Sequence, residues 1–192
     1  MTEKIEVKFV IVGDAAVGKT ALVDRLVKNA VNEEHNPTLG VDFVSHSMTI
    51  NGKEVALQLW DTAGDVTYHS MAEAFISGSK GIALVFSLTD HESFVNCAGW
   101  ITTIRRNTGP TTPVLLLGNK YDLPDKRAVS KEEINEFTAG NKVNFFETSA
   151  MSGHNVNEAF MALILAACPE LNADDGKKKK KDKKKKKDCI VM

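Results

Sequence analysis

Cysteine is scarce in this chain of 192 residues, and the three present (Cys97, Cys168 and Cys189) make no disulfide framework. No Cys/His cluster has the spacing of a zinc site, and the five histidines are scattered. No apolar run reaches membrane-spanning length, so a transmembrane helix is excluded from the expectation. The first residues, Met1-Thr2-Glu3-Lys4-Ile5-Glu6, lack the pattern of a signal peptide, and residue 2 is not the glycine that myristoylation requires. No internal repeat is visible. Net positive charge is confined to the C-terminal stretch. The formal net charge is −1, yet residues 177–188 hold ten Lys and two Asp, a net of +8, which leaves the remainder at −9. An acidic body argues against nucleic-acid binding by the fold itself.

The hydrophobic fraction of 43% is ample for one core, so the expectation is a single domain over 1–171 with a polybasic tail over 172–192. Short apolar strands are predicted at Val7–Val12, Ile82–Phe86, Val114–Gly118 and Val143–Phe146. Two more, Val41–Ile50 and Glu54–Trp60, flank Asn51-Gly52, a strong signal for a tight hairpin. Helical periodicity follows Lys19, covers Glu92–Asn107, begins again at Ser130 with a capping box to Glu133, and fills Asn155–Cys168. Asp61 to Lys80 reads as irregular with a short helix. Strands alternating with helices predict an α/β fold with a mostly parallel sheet, one antiparallel edge strand and helices on both faces.

Chemistry concentrates at the carboxyl ends of those strands. Gly13-Asp14-Ala15-Ala16-Val17-Gly18-Lys19-Thr20 fits G-x-x-x-x-G-K-[ST], a loop whose backbone N–H groups wrap phosphates at a helix N-terminus. Thr38 lies in the next loop. Asp61-Thr62-Ala63-Gly64 follows the strand ending at Trp60; a carboxylate there can orient a magnesium-bound water, and the Gly64 amide can approach a terminal phosphate. Asn119-Lys120-Tyr121-Asp122 comes next, and an Asp at that point can accept from both N1–H and the 2-amino group of guanine. Adenine lacks that donor pair, so the motif favours GTP over ATP and disfavours an ATP-using kinase or ATPase. Glu147-Thr148-Ser149-Ala150 offers a backbone N–H to guanine O6. Each fragment alone is weak; their order and placement together are not.

Over residues 5–170 the chain resembles a Ras-superfamily small GTPase, nearest the Rab branch through Leu39-Gly40-Val41-Asp42-Phe43, Trp60 before Asp61, and Tyr68-His69-Ser70. The resemblance implies the P-loop NTPase (small G-protein) fold with a six-stranded sheet, and GTP/GDP with Mg²⁺ as ligands. It assigns Gly13 to Thr20 to the phosphates, Lys19 to the β- and γ-phosphates, and Thr20 and Thr38 to Mg²⁺, with Asp61 behind the metal's water. Gly64, Asn119, Lys120, Asp122, Ser149 and Ala150 complete the nucleotide set. Phe43, Trp60 and Phe75 match an aromatic triad that meets effectors; simple core packing is the other reading of those three. Implied partners are effectors through both switch loops, an exchange factor and a GAP, with the protein itself a monomer.

Four positions depart from the family. Asp65 stands where a glutamine orients the attacking water, and loss of one such group typically costs about 10²–10³ in rate. Val31 replaces a phenylalanine that lies against guanine, a contact worth roughly 1–3 kcal/mol. Ala15 and Met151 replace the usual glycine or serine and lysine. These imply slow hydrolysis and fast exchange, with a constitutively GTP-bound adaptor as the alternative. The ending Cys189-Ile190-Val191-Met192 fits C-a-a-X, with Met favouring farnesyl. A single lipid holds a membrane only marginally, and the lysines supply a second signal on an anionic leaflet. The expected place is the cytoplasmic face of a membrane.

Overall fold

The computed structural model describes residues 4–31, 38–65 and 69–172, except the side chain of His69. The lysine run, Cys189 and Tyr68 lie outside the described residues. Six strands, β1 (Ile5–Val12), β2 (Val41–Ile50), β3 (Lys53–Thr62), β4 (Gly81–Ser87), β5 (Val114–Asn119) and β6 (Asn144–Glu147), form one sheet. Their order is β2-β3-β1-β4-β5-β6, with every pairing parallel except β2 to β3. Asn51 and Gly52 both take positive φ, 49° and 78°, in the turn between β2 and β3, as a two-residue hairpin of matching twist demands.

The uninterrupted apolar strands are explained by burial on both faces. Along β1, Val7, Phe9 and Ile11 enter one core while Val10 and Val12 enter the other. Along β4 the alternation continues, with Ala83 and Val85 on the first side and Ile82, Leu84 and Phe86 on the second. Helices α1 (Lys19–Lys28) and α6 (Val156–Ala167) close the first core through Leu22, Val23, Phe160 and Leu163. Helices α2 (His69–Ile76), α3 (His91–Val95), α4 (Cys97–Thr108) and α5 (Lys131–Asn141) close the second through Ile76, Phe94, Trp100, Ile104 and Ile134. Cys97 and Cys168 are both buried and free.

Two boundaries differ from the sequence expectation. The single helix predicted over Glu92–Asn107 comes as α3 and α4, meeting at Asn96, whose backbone stays helical (φ −66°, ψ −17°). Its N–H is shared between the carbonyls of Glu92 and Phe94, which tightens the turn at the junction. Strand β3 does not stop at Trp60 but runs through Asp61 and Thr62, because Ile11 on one side and Val41 and Asp42 on the other extend the ladder. Asp61 is therefore held by a strand and not by a loop. All the parallel strands deliver their carboxyl ends to one edge of the sheet, where ligands of such folds sit.

Candidate functional site

The loop from Gly13 to Gly18 leaves β1 and enters α1. Gly18 caps the helix in the left-handed region (φ 95°), with no side-chain cap bond. The first-turn amides of α1 thus face outward, an arrangement suited to an anion. An alanine at 18 would place its Cβ 2.3 Å from Asn119 Nδ2, so the close approach requires glycine. Lys19 is buried, and its Nζ donates to the carbonyls of Gly13 (2.8 Å) and Asp14 (2.6 Å). Burial pulls its pKa down to about 8, opposed by the charges of Asp61 and Asp14.

Three oxygens converge beside this lysine. Thr20 Oγ1 lies 2.8 Å from Thr38 Oγ1 and donates to Asp61 Oδ2 at 2.5 Å. Asp61 is 2% exposed, and its second oxygen, Oδ1, is buried without any hydrogen-bond partner. Burial raises its pKa to about 6, against the Thr20 hydroxyl and the Lys19 charge, which favour the carboxylate. A buried carboxylate oxygen with no partner costs free energy unless a cation or its water satisfies it. Two hydroxyls and that carboxylate form a hard-oxygen set that fits magnesium, which keeps waters and shares phosphate oxygens. Among the described residues no group of three or more His, Cys, Asp or Glu forms an all-protein metal cage.

Gly64 follows at the end of β3 and presses on the loop. A Cβ there would lie 2.2 Å from the Asp14 carbonyl carbon and 2.3 Å from the Ala15 nitrogen. Ala15, Gly64 and Asp65 line one cleft with Asn96 and Trp100, which brings both unusual residues, Ala15 and Asp65, together beside the Gly13–Gly18 loop.

The other end of the cradle is built from β5 and the loop after β6. Asn119 is buried; its Nδ2 donates to the Val17 carbonyl at 2.9 Å and its Oδ1 accepts from the Ala150 amide at 3.2 Å. Lys120 adopts a left-handed backbone (φ 68°). Asp122 Oδ1 accepts from Ser149 Oγ at 2.5 Å, joining the loop after β5 to the loop after β6, and the Tyr121 and His154 rings stack on each other at 4.6 Å. Every sequence-predicted nucleotide residue thus lies along one continuous edge, from Thr38 and Asp61 through the loop to Asn119 and Ala150. Val31 packs against the first core.

Phe43 meets Trp60 at a tilt of 54° and Trp60 stacks on Phe75, with ring centroids 4.9 Å apart in both contacts. Trp60 and Phe75 pack partly against the second core while Phe43 is 47% exposed, with Leu39 and Met71 exposed as well. Packing and surface presentation therefore coexist in these rings.

Three contacts were not foreseen. Trp100 Nε1 donates to Asp14 Oδ1 at 2.9 Å and Asn96 Nδ2 to Asp14 Oδ2 at 2.7 Å, so this loop side chain turns toward α3 and α4. Arg25 on α1 bonds to the loop after β6 across 125 positions. Periodicity carries no signal for such pairings. Trp100 lies in the second core and still bonds to Asp14 through its ring N–H.

Against this geometry, the Ras family model matches residues 8–168. The chain belongs to the Ras family. It is 40% identical over 156 residues to Ras-related protein Rab-13 of Bos taurus, covering 81% of this chain and 77% of that one. Ras-related protein Rab-4B of Homo sapiens is 38% identical over 154 residues, covering 80% of this chain and 72% of the relative. The GTP-binding protein ypt3 of Schizosaccharomyces pombe is 38% identical over 157 residues, covering 82% and 73%. The chain is a Ras-superfamily GTPase near the Rab branch, a family of GTP-binding switches. The six-stranded sheet with its one antiparallel strand is the small G-protein form of the P-loop fold.

Proposed function

We propose that this chain is a membrane-anchored switch that binds GTP and GDP with Mg²⁺ and hydrolyses GTP slowly. The observation that carries the reading is the convergence of Thr20, Thr38 and Asp61 beside Lys19, with Asp61 Oδ1 unpartnered. Thr20 and Thr38 would hold the metal, with Asp61 fixing one of its waters. Magnesium supplies positive charge against the phosphate oxygens when bound. Lys19, buried and already donating to loop carbonyls, is placed to turn to the β- and γ-phosphates. The amides of Gly13 to Thr20 line the phosphates, Asn119 and Asp122 read the base, and the Ser149–Ala150 backbone serves guanine O6. Thr38 and Gly64 sense the terminal phosphate, and the Phe43–Trp60–Phe75 stack presents the result to an effector in trafficking or signalling.

Asp65 and Val31 qualify the switch. A carboxylate beside the γ-phosphate accepts hydrogen bonds only, so it cannot donate to the transferring group as a glutamine does. Asp65 also favours the second reading, an adaptor that stays loaded with GTP because hydrolysis has decayed. Identifying the nucleotide released from purified protein by acid tests both. Guanine nucleotide supports the site, mostly GTP supports the adaptor, and adenine nucleotide or none overturns it. The tail completes the proposal: prenylation of Cys189 and ten lysines hold the protein on an anionic cytoplasmic leaflet. Cys189→Ser should leave the protein in the soluble fraction of lysed cells; retention on membranes would refute the anchor.

A further inference from the structure

The loop that would meet guanine O6 is fastened from outside the base-recognition segments. Arg25 sits two turns into α1, half-buried, with its guanidinium spread over three carbonyls. Its Nε donates to Ala150 O at 2.6 Å and its Nη2 to Met151 O at 2.6 Å. Its Nη1 donates to Asn29 O at 2.9 Å, at the left-handed C-cap of the same helix. The aliphatic stem packs 3.6 Å from the point where Gly153 would carry a Cβ. Two adjacent carbonyls are thus gripped by one planar fork, which fixes the direction of the Ala150–Met151 and Met151–Ser152 peptides, immediately after the Ala150 N–H. The Ala150 N–H, buried and aimed at Asn119, belongs to that same run.

The position gains weight from what surrounds it. Val31 is not aromatic, and Met151 carries no charge. Asn29, the third acceptor, lies two residues before Val31. We infer that Arg25 is a positioning residue for guanine retention: it ties the O6-binding loop to the end of α1 and so sets how long the nucleotide stays. The inference rests on the guanine-nucleotide reading above. Arginine suits the position because separate nitrogens of its planar fork reach the two carbonyls, whereas a lysine would have to serve both from a single ammonium.

The test is equilibrium binding of GDP and of 2-aminopurine riboside 5′-diphosphate, which keeps the 2-amino group and has no O6, together with GDP release in a chase. Both charge-assisted bonds to the loop after β6 are lost in Arg25→Gln, along with the one to Asn29, so GDP release should quicken roughly tenfold to a hundredfold. The analogue never used the O6 contact, so its affinity should fall far less, and the preference for GDP should shrink by about tenfold. Arg25→Lys, which keeps charge and volume, should fall between and serves as the readout if Arg25→Gln does not fold. Unchanged GDP release overturns the role of Arg25, and equal losses for GDP and the analogue overturn it as well, since they mark a merely structural bond. A wild-type protein that holds no guanine nucleotide overturns the parent reading, which the chase with wild-type protein reports separately.

Discussion

Asn119 reaches across the sheet edge to Val17, donating through Nδ2 at 2.9 Å to a carbonyl 102 residues earlier in the chain. Through Oδ1 it accepts from Ala150, so a single buried carboxamide joins the phosphate loop to the loop after β6. Asn119→Ala would leave the Val17 carbonyl and the Ala150 amide without these partners, each such loss costing about 1–3 kcal/mol. The two loops would part where the nucleotide lies. GDP affinity should weaken by at least about tenfold in a fluorescence titration. An unchanged dissociation constant would show that the bridge does not shape the site.

Asp65 lies past the Gly64 contact with the Asp14–Ala15 peptide, at the rim of the same cleft as Ala15. Asp65→Gln restores a side chain that both donates and accepts. Single-turnover phosphate release from GTP-loaded protein should rise by about 10²–10³ if water orientation is the missing element. A rise below about threefold would place the limit elsewhere, with Ala15 the next residue to vary.

The fold was legible where burial writes itself into the sequence. Val114 to Leu117 and Ile82 to Phe86 read as strands because both faces of β4 and β5 are covered. Asn51-Gly52 read as a hairpin because only a few residue types tolerate two consecutive positive φ values. The end of β3 was not legible, since Asp61 and Thr62 are drawn into the ladder by strands 50 and 20 residues away. The site divides in the same way. Gly18, Lys19 and Thr20 carry their chemistry in local spacing, whereas Arg25 and the Asp14–Trp100 bond depend on which helices the completed sheet brings together.

Glu133 gives the start of α5 a pH signature. Its carboxylate accepts from Ser130 Oγ at 2.6 Å, from the Ser130 amide at 3.0 Å and meets His91 Nε2 at 2.8 Å. The Ser130 hydroxyl, then His91, then the Ser130 amide hold its pKa down at about 2. A carboxylate depressed in the folded state stabilises above its unfolded value, 4.5, and loses that contribution as pH falls toward 2. Glu133→Gln should therefore lower the melting temperature at pH 7, and the gap from wild type should close between about pH 4.5 and 2. A gap that stays constant with pH would mean that the charge is not what the cap uses.

The hydroxyl of Thr20 touches both Thr38 and Asp61, the set proposed to hold magnesium. Thr38 precedes β2 and Asp61 lies within β3, and the hydroxyl of Thr20 on α1 bonds to both. Chelating magnesium should speed GDP release from wild-type protein, because the charge offsetting the phosphates is worth several kcal/mol. In Thr20→Ala the metal's ligand is gone, so release should already be fast and should respond little to EDTA. The two effects must overlap if Thr20 acts through magnesium. Additive acceleration in the chelated variant would instead assign Thr20 to holding the loop. A chase with labelled GDP at millimolar magnesium and in excess EDTA distinguishes these outcomes in one series.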